Sequence, residues 1–456
     1  MAGRALTLFM ICLVSGTVSG APSEWMVGIG RIDITPPSGV WMAGYASRKQ
    51  PADGKIHPLW AKALVMTDNL NNRAAIITLD LLGDNFHRTL ADRIRTRIST
   101  LSRIQPHAIL FNFSHTHSGP VTAVTDGALI TYNINELHQS RVNRYTQTLE
   151  HQIVSLVTRA SKHLQPAQFA FTQGQVSFAR NRRTPVGQAG PVDHSVPVLK
   201  ITSPSEQPLA VLFGYACHNT TYDGDALRFN GDYAGFAQIA LEEKYPNMTA
   251  MFMMGCGGDI NPDPRGRPEQ AQQHGVSLAA SVNHALKGPL HPVRGPLTTR
   301  LERIDLPYVV PPTESELESR RDDGDIYDQR LTRRLLKILR SGNSLPTSYP
   351  YPVQVIQFGN DLSLIALGGE TVVDYARRLQ RELAGKRIWI AGYSNEVFAY
   401  VPSERVLTEG GYEGGLAMKY FGIHGPFLPG LEARIIDLVK KLLHQSIPSN
   451  TWTHDK

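Results

Sequence analysis

AILFNFSHTHSGP, residues 108–120, joins an apolar run to two histidines and a Gly-Pro turn. The apolar run predicts a buried strand, and the turn predicts that the chain leaves the sheet there. Strand ends are frequent places for functional side chains. Imidazole is a common metal ligand and a common general base, so His115 and His117 indicate a hydrolytic centre. By itself the pair is equally compatible with surface or packed histidines that make ordinary hydrogen bonds.

The composition is typical of a globular protein. The 456 residues are 41% hydrophobic and 19% charged, which argues against a disordered chain or a membrane bundle. This length allows one large elaborated α/β domain or two domains. The formal net charge of +6 comes from scattered Lys and Arg, with no basic stripe interleaved with aromatic residues. Nucleic-acid binding therefore receives little support, whereas a negatively charged surface or substrate stays compatible.

The first residues predict a secretory signal peptide. Arg4 precedes an apolar segment over residues 5–14, and small residues follow at 19–21. We expect a mature protein, secreted or periplasmic, that is soluble outside the cytoplasm. No later segment approaches eighteen continuous apolar residues. Cys217 and Cys256 lie outside the signal, and an oxidising compartment would allow them to pair.

Strand and helix patterns alternate along the chain, which predicts an α/β fold with one large mixed-sheet domain flanked by helices. The charged stretch from Pro311 to Arg340 predicts a peripheral helical insertion with a solvated face. The predicted strands cover residues 74–79, 108–113, 167–172, 197–202, 209–215, 250–254, 362–367 and 388–391. The predicted helices cover residues 89–104, 144–163, 233–244, 372–383 and a closing amphipathic segment from Leu431 to Leu442.

Four further segments place polar residues directly after an apolar run or a strand. Each has an ordinary structural explanation, such as a core histidine for His218, a helix cap for Glu370 or an aromatic wedge for Tyr400. The glycines of the second segment would let backbone approach a ligand closely. The segments are LFGYACHN (212–219), MMGCGGDINP (253–262), IALGGE (365–370) and GYSNEVFAYVP (392–402), which continues to GYEG (411–414).

Several motifs in this order resemble the neutral/alkaline ceramidases, from about Val27 to the final helix. The motifs are VGIGRIDITP (27–36), MAGY (42–45), HTHSGP (115–120), NRR (181–183), GDYAGFA (231–237), GGDINP (257–262), GGE (368–370), GYSNEVFAY (392–400) and GYEGG (411–415). The resemblance implies a zinc hydrolase site at strand ends. It also implies hydrolysis of the amide of an N-acylsphingosine by zinc-activated water, giving a sphingoid base and a fatty acid.

The resemblance assigns a role to particular side chains. It implies one Zn²⁺ per chain with four protein ligands, two imidazoles, a carboxylate and a tyrosine oxygen, which leaves room for water. The implied metal ligands are His115, His218, Glu370 and Tyr400. The implied catalytic positions are His117 as proton shuttle, with Arg182 and Tyr412 as donors to the oxyanion.

One motif departs from the family pattern. Where ceramidases carry a serine, this chain has Asn261, and a carboxamide cannot act as an alkoxide nucleophile. We therefore favour direct attack by zinc-activated water, with Asn261 positioning the water or the substrate. Two alternatives stay open: a related zinc hydrolase acting on another acylated lipid or sugar, and a non-catalytic homologue.

The resemblance also divides the chain. We expect a signal peptide over residues 1–21, a neutral ceramidase-like catalytic domain over 22–447 and a tail over 448–456. The resemblance then implies a short member of the family that lacks the C-terminal β-domain. The expected partner is a lipid-like or other acylated small-molecule substrate, with transient contact to a membrane surface. Neither a nucleic acid nor a protein partner is expected.

Overall fold

A computed structural model describes residues 25–84, 86–123, 126–185 and 187–444. The predicted signal peptide and the predicted C-terminal tail lie outside the described residues. Among those residues, every helix is too short or too polar to cross a membrane.

The strands and helices follow one another in the alternation that the sequence predicts. The strands are β1 (Trp25–Asp33), β2 (Gly54–Lys55), β3 (Trp60–Asp68), β4 (Arg73–Leu79), β5 (Ile109–Phe113), β6 (Gln165–Gln175), β7 (Ala179–Asn181), β8 (Ser195–Thr202), β9 (Pro208–Tyr215), β10 (Arg228–Phe229), β11 (Thr249–Met254), β12 (Ile260–Pro262), β13 (His291–Val293), β14 (Leu297–Pro307), β15 (Ser348–Phe358), β16 (Leu362–Leu367), β17 (Glu370–Thr371), β18 (Ile388–Ala391) and β19 (Tyr400–Val401). The α-helices are α1 (Arg88–Ser102), α2 (Asp126–Thr131), α3 (Glu136–Lys162), α4 (Asp232–Lys244), α5 (Pro268–Ala285), α6 (Glu314–Ser319), α7 (Ile326–Arg340), α8 (Val373–Glu382), α9 (Glu404–Glu409), α10 (Gly411–Gly414) and α11 (Leu431–His444). Short 3₁₀ helices cover Pro106–Ala108 and Leu416–Phe421.

The larger sheet is mixed and has the strand order β11-β9-β8-β6-β1-β3-β4-β5, with β13 added beside β6. Its interior pairs are antiparallel, whereas the terminal pairs β4–β5 and β9–β11 are parallel. Strands β5 and β11 are buried almost throughout, as their near-continuous apolar sequences require. Helices α3, α4 and α5 pack against this sheet, which confirms the predicted α/β fold with a large mixed sheet.

A smaller sheet has the order β14-β15-β16-β18 and its own apolar cluster with helices α8 and α11. The long strands β14 and β15 pair over eleven residues each, and β16 runs parallel to β18. Parallel strands bring their carboxyl ends to the same edge. The segments after β16 and β18 therefore lie side by side.

Asn112 links the two sheets. Its side-chain oxygen accepts from Met254 N at 2.8 Å, and its Nδ2 donates to Gly392 O at 2.9 Å and Ser394 Oγ at 3.1 Å. Because β5, β11 and β18 end at or next to these residues, one buried amide holds three strand ends together. The segments that carry the predicted site residues leave the sheets from this point.

Some elements differ from the sequence-based prediction. Helix α3 begins at Glu136, eight residues before the predicted start, because the Asn135 side chain accepts from His138 N and caps it. The stretch over residues 311–340 forms α6 and α7 and is not only a solvated face: Arg330 of α7 donates to Ile130 O at 3.0 Å. Cys217 and Cys256 are both buried and free, so they do not pair in this structure.

Candidate active site

His115 follows β5 and lies in a left-handed backbone conformation, with φ of 58°. Such a conformation is uncommon for residues other than glycine and clusters at functional sites. It turns the buried imidazole so that Nδ1 lies 2.7 Å from Leu82 O. A carbonyl oxygen can only accept, so Nδ1 carries a proton, and in the neutral ring Nε2 keeps its lone pair.

His218 follows β9 and has the same arrangement. Its Nδ1 donates to Gly257 O at 2.7 Å and lies 3.1 Å from Ile260 O, which again leaves Nε2 with the lone pair. Burial and the Arg182 guanidinium lower the pKa of His218 to about 4, so the ring is neutral at pH 7. Metal-ligating histidines commonly donate their second nitrogen to a backbone carbonyl in this way.

Glu370 supplies the carboxylate on which both imidazoles converge. Its Oε2 lies 3.2 Å from His115 Nε2 and 3.0 Å from His218 Nε2. In the neutral rings neither Nε2 carries a proton to donate to this carboxylate, so three lone-pair atoms face one another, an arrangement that a shared cation would stabilise. A Cβ on Gly258 would lie 2.5 Å from Glu370 O, so the close approach of these two segments requires glycine.

Tyr400 reaches the same point because β17 and β19 pair in parallel, with Glu370 opposite Tyr400. The Tyr400 hydroxyl lies 3.4 Å from His218 Nε2 and accepts from Arg182 at 3.1 Å. The structure therefore brings together the four residues predicted as metal ligands.

His117 lies beside this cluster. Its Nε2 is 3.3 Å from His115 Nε2, and its Nδ1 is buried without a hydrogen-bond partner among the described residues. His115, His117 and His218 each offer a ligand atom, and these atoms lie within 4.8 Å of one another. Two imidazole lone pairs at this distance repel unless a proton or a cation lies between them. The donor set therefore fits a cation.

Arg182 forms the wall opposite the histidines. Four of its five N–H groups are engaged: Nε donates to Glu413 Oε1 at 2.6 Å, and the others donate to Asn261 Oδ1 at 3.3 Å, Gly258 O at 2.9 Å and the Tyr400 hydroxyl. Burial lowers the pKa of Arg182, but Tyr400 and Glu413 outweigh it and hold this pKa well above its usual range. A fixed positive charge therefore borders the site.

Asn261 and Tyr412 complete this wall. Asn261 Oδ1 accepts from Arg182 and, at 3.4 Å, from Thr220 Oγ1, which leaves the amide NH₂ group to donate elsewhere. Tyr412 is 45% exposed, and its ring centroid lies 5.3 Å from the Tyr400 ring and 5.7 Å from Arg182 Cζ. All eight residues predicted from the sequence thus lie at one site.

A family model for the neutral/alkaline non-lysosomal ceramidase N-terminal region matches residues 25–297, which is more than half of the chain. The chain belongs to the neutral/alkaline ceramidase family. Neutral ceramidase from Drosophila pseudoobscura pseudoobscura is 24% identical over 291 residues, which cover 58% of this chain and 40% of that protein. Neutral ceramidase A from Dictyostelium discoideum is 27% identical over 269 residues, which cover 54% of this chain and 37% of that protein. This ceramidase-family chain thus spans about two fifths of the length of the curated relatives it matches.

Solved ceramidase structures share the fold. Neutral ceramidase from Pseudomonas aeruginosa gives a TM-score of 0.72 at 20% identity, over 92% of this chain and 74% of that chain. A ceramidase complexed with C2 gives a TM-score of 0.71 at 18% identity, and the match covers 91% of this chain and 74% of that chain. Glu370, Tyr400 and Tyr412 lie beyond the segment that matches the family model, which ends at residue 297.

Sequence reasoning did not single out two residues of this ceramidase-family site. Tyr393 is fully buried, with its hydroxyl 3.4 Å from Glu370 Oε2. Glu413 is 4% exposed and accepts from Arg182 and, at 2.6 Å, from Arg183. Both lie in motifs that carry the resemblance: Tyr393 shares its motif with Tyr400, and Glu413 directly follows Tyr412. Motif membership was therefore the available signal.

A cavity of about 710 Å³ lies beside the site. Leu90, Ile338 and Phe398 contribute to its apolar lining, and Tyr420 and Phe421 form one wall. These two rings lie 6.1 Å from the Tyr412 ring and 6.3 Å from the Tyr400 ring, respectively. Arg93, Arg334 and His424 also line it, so a cavity with a mixed apolar and polar lining adjoins the cluster.

Proposed function

We propose that this chain is a zinc-dependent hydrolase that cleaves the amide bond of an N-acylsphingosine and releases a sphingoid base and a fatty acid. The observation that carries the proposal is the convergence of His115 Nε2 and His218 Nε2 on Glu370 Oε2, with each Nδ1 donating to a backbone carbonyl. Membership of the ceramidase family supports the reaction class.

The donor set suits zinc. His115, His218, Glu370 and Tyr400 would hold the ion with two imidazole nitrogens, a carboxylate oxygen and a phenol oxygen, the nitrogen and oxygen ligands that Zn²⁺ accepts. A zinc ion held there supplies Lewis acidity and makes water acidic near neutral pH. His115 and His218 are held ready for this role by their hydrogen bonds to Leu82 O and Gly257 O.

Arg182 and Asn261 would bind the carbonyl oxygen of the scissile amide. Arg182 is held by Glu413 and keeps one N–H group beyond its four contacts, and the Asn261 NH₂ group is directed away from Arg182. Preorganised donors of this kind stabilise a developing oxyanion. Tyr412, at the exposed side of the site, is a third donor in this proposal.

His117 would move the proton. Its ring lies against His115 and its Nδ1 has no partner among the described residues, so a nitrogen is available inside the site. The proton taken from the attacking water would pass through His117 to the leaving amine. Asn261 has no hydroxyl and therefore cannot form an acyl-enzyme. Direct attack by water does not require one.

The cavity beside the site supports an acylated lipid as substrate. Its volume of about 710 Å³ is large enough for a hydrocarbon chain, which would lie against Leu90, Ile338, Phe398 and Phe421, while the polar part of the lining includes Arg93 and Arg334. Tyr420 and Phe421 place one wall of this cavity next to Tyr412 and Tyr400. A chain lying there would leave the polar head of the lipid near Arg182.

We also propose that the protein is secreted or periplasmic, with its catalytic domain over residues 22–447. The support is the charged and apolar pattern over residues 4–21. N-terminal sequencing of protein recovered outside the cytoplasm tests this, and an intact Met1 on that protein would contradict it.

Zinc content and fatty-acid release, measured on the same purified protein, test the function. We expect one zinc per chain. We also expect the protein to release fatty acid from an N-acylsphingosine, and a chelator should abolish this release.

The Asn261 departure favours a second candidate, a zinc hydrolase of another acylated lipid or sugar. Bound zinc with turnover of those compounds but not of ceramide would support this candidate. Protein without zinc or turnover would be a non-catalytic homologue.

A further inference from the structure

Tyr393 lies against both halves of the candidate metal site. It follows β18, is fully buried, and places its hydroxyl 3.4 Å from Glu370 Oε2. Its ring centroid lies 4.5 Å from that of His115 and 5.9 Å, edge-on, from that of His218. The side chain therefore contacts the carboxylate and both imidazoles that converge on it.

The backbone of Tyr393 is fixed from two sides. Its N–H donates to Gly369 O at 3.1 Å, and its carbonyl accepts from Phe113 N at 3.1 Å. Gly369 precedes Glu370, and Phe113 ends the strand that leads to His115. Tyr393 thus joins the segment that carries the carboxylate to the segment that carries the imidazole.

This position is held in a strained conformation. The φ of Tyr393 is 48°, in the left-handed region that side chains other than glycine rarely adopt. Such conformations persist where the surroundings determine them, and they cluster at sites of function. Asn395, two residues on, also has a positive φ of 68° and bonds to Phe111 O through its N–H at 2.7 Å. The loop after β18 is therefore locked onto β5.

We propose that Tyr393 is the positioning residue of the metal site: its hydroxyl donates to Glu370 Oε2 and orients that carboxylate, while its ring braces His115. The proposal rests on the metal site put forward under Proposed function. Groups that hydrogen-bond to a ligating carboxylate fix its orientation, and their loss weakens metal affinity by about 10–100-fold.

The test is the zinc affinity of Tyr393→Phe, measured by competition with a chromophoric chelator. This change removes one oxygen and keeps the ring, so we expect zinc affinity about 10–100-fold below wild type. Tyr145→Phe is the matched control, because Tyr145 is a buried tyrosine that donates to Ile34 O at 2.7 Å, away from the site. We expect wild-type zinc affinity in that control. Thermal unfolding in chelator checks that both variants fold.

A double-mutant cycle with Glu370→Ala separates positioning from a general packing role. If the hydroxyl acts through Glu370, Tyr393→Phe weakens zinc binding in the wild-type background and has no further effect once Glu370→Ala is present. Equal losses in both backgrounds, or wild-type affinity in Tyr393→Phe, would overturn the proposal. A wild-type protein that binds no zinc would instead refute the metal site itself, so the two failures are distinct.

Discussion

Arg182→Lys separates stabilisation of the oxyanion from metal binding. The guanidinium spreads its donors over Glu413, Asn261, Gly258 O and Tyr400. Lysine carries three donors on a compact ammonium and cannot reproduce that planar fork. The variant keeps the charge but loses the directed donor, so we expect the zinc content to stay at the wild-type level while turnover falls.

The magnitude follows from what the side chain contacts. Loss of one oxyanion donor costs about 2.7–4 kcal/mol in the transition state, or about 10²–10³ in kcat. Breaking a buried ion pair usually costs about 3–5 kcal/mol of stability. Here Glu413 also accepts from Arg183 at 2.6 Å, so its carboxylate stays paired. We therefore expect a smaller stability loss, about 1–3 kcal/mol, the cost of an unsatisfied hydrogen bond.

The assay is fatty-acid release from an N-acylsphingosine, together with metal analysis and denaturant unfolding. Arg183→Lys is the matched control, because Arg183 shares Glu413 but directs its other donors to Glu409 and Gly410 O. We expect less than a threefold change in its kcat. Equal losses in the two variants, or an Arg182→Lys variant with wild-type turnover, would refute the oxyanion role.

Three further outcomes follow from the same geometry. Metal analysis should show loss of zinc in His115→Ala and in His218→Ala. The His117→Ala variant should keep zinc and lose turnover. Full zinc occupancy in His218→Ala would reject the assignment of His218 as a ligand. Gly258→Ala should weaken zinc binding in chelator competition, because the new Cβ would lie 2.5 Å from Glu370 O, and wild-type affinity would show that this loop yields freely. Removing zinc with a chelator should abolish turnover and lower the unfolding midpoint, since a ligand that binds only the folded state stabilises it, and zinc should restore both.

Much of the fold could be predicted from local patterns. The apolar runs that form β4, β5, β9, β11, β16 and β18 were predicted close to their observed bounds, because buried strands need such runs. The long pair β14–β15 was not predicted. Strand β14 reads LTTRLERIDLP and is only partly buried, so cross-strand pairing, rather than its own composition, makes it a strand.

The candidate site shows the same division. His115 and His117 could be found because an unusual pair follows an apolar run, and the resemblance supplied the rest of the set. Tyr393 and Glu413 could not be given roles, because a tyrosine or a glutamate in a glycine-rich loop has no local signal for the atom it contacts. Only the packed chain shows Tyr393 against Glu370, and Glu413 between two arginines.

The amino-acid sequence by itself determined the strands that are built from apolar runs, the turns that end them and the kinds of side chain that follow, because these depend on neighbours a few residues away. The tertiary structure alone decided that residues 115, 218, 370 and 400 meet. Their meeting depends on the parallel pairing of β17 with β19 and on the bonds from Asn112 to Met254 and Gly392. The bonds of Asn112 join segments more than one hundred residues apart, and β17 and β19 pair although they lie about thirty residues apart in the chain. Hydrophobic burial of the whole chain brings these segments together.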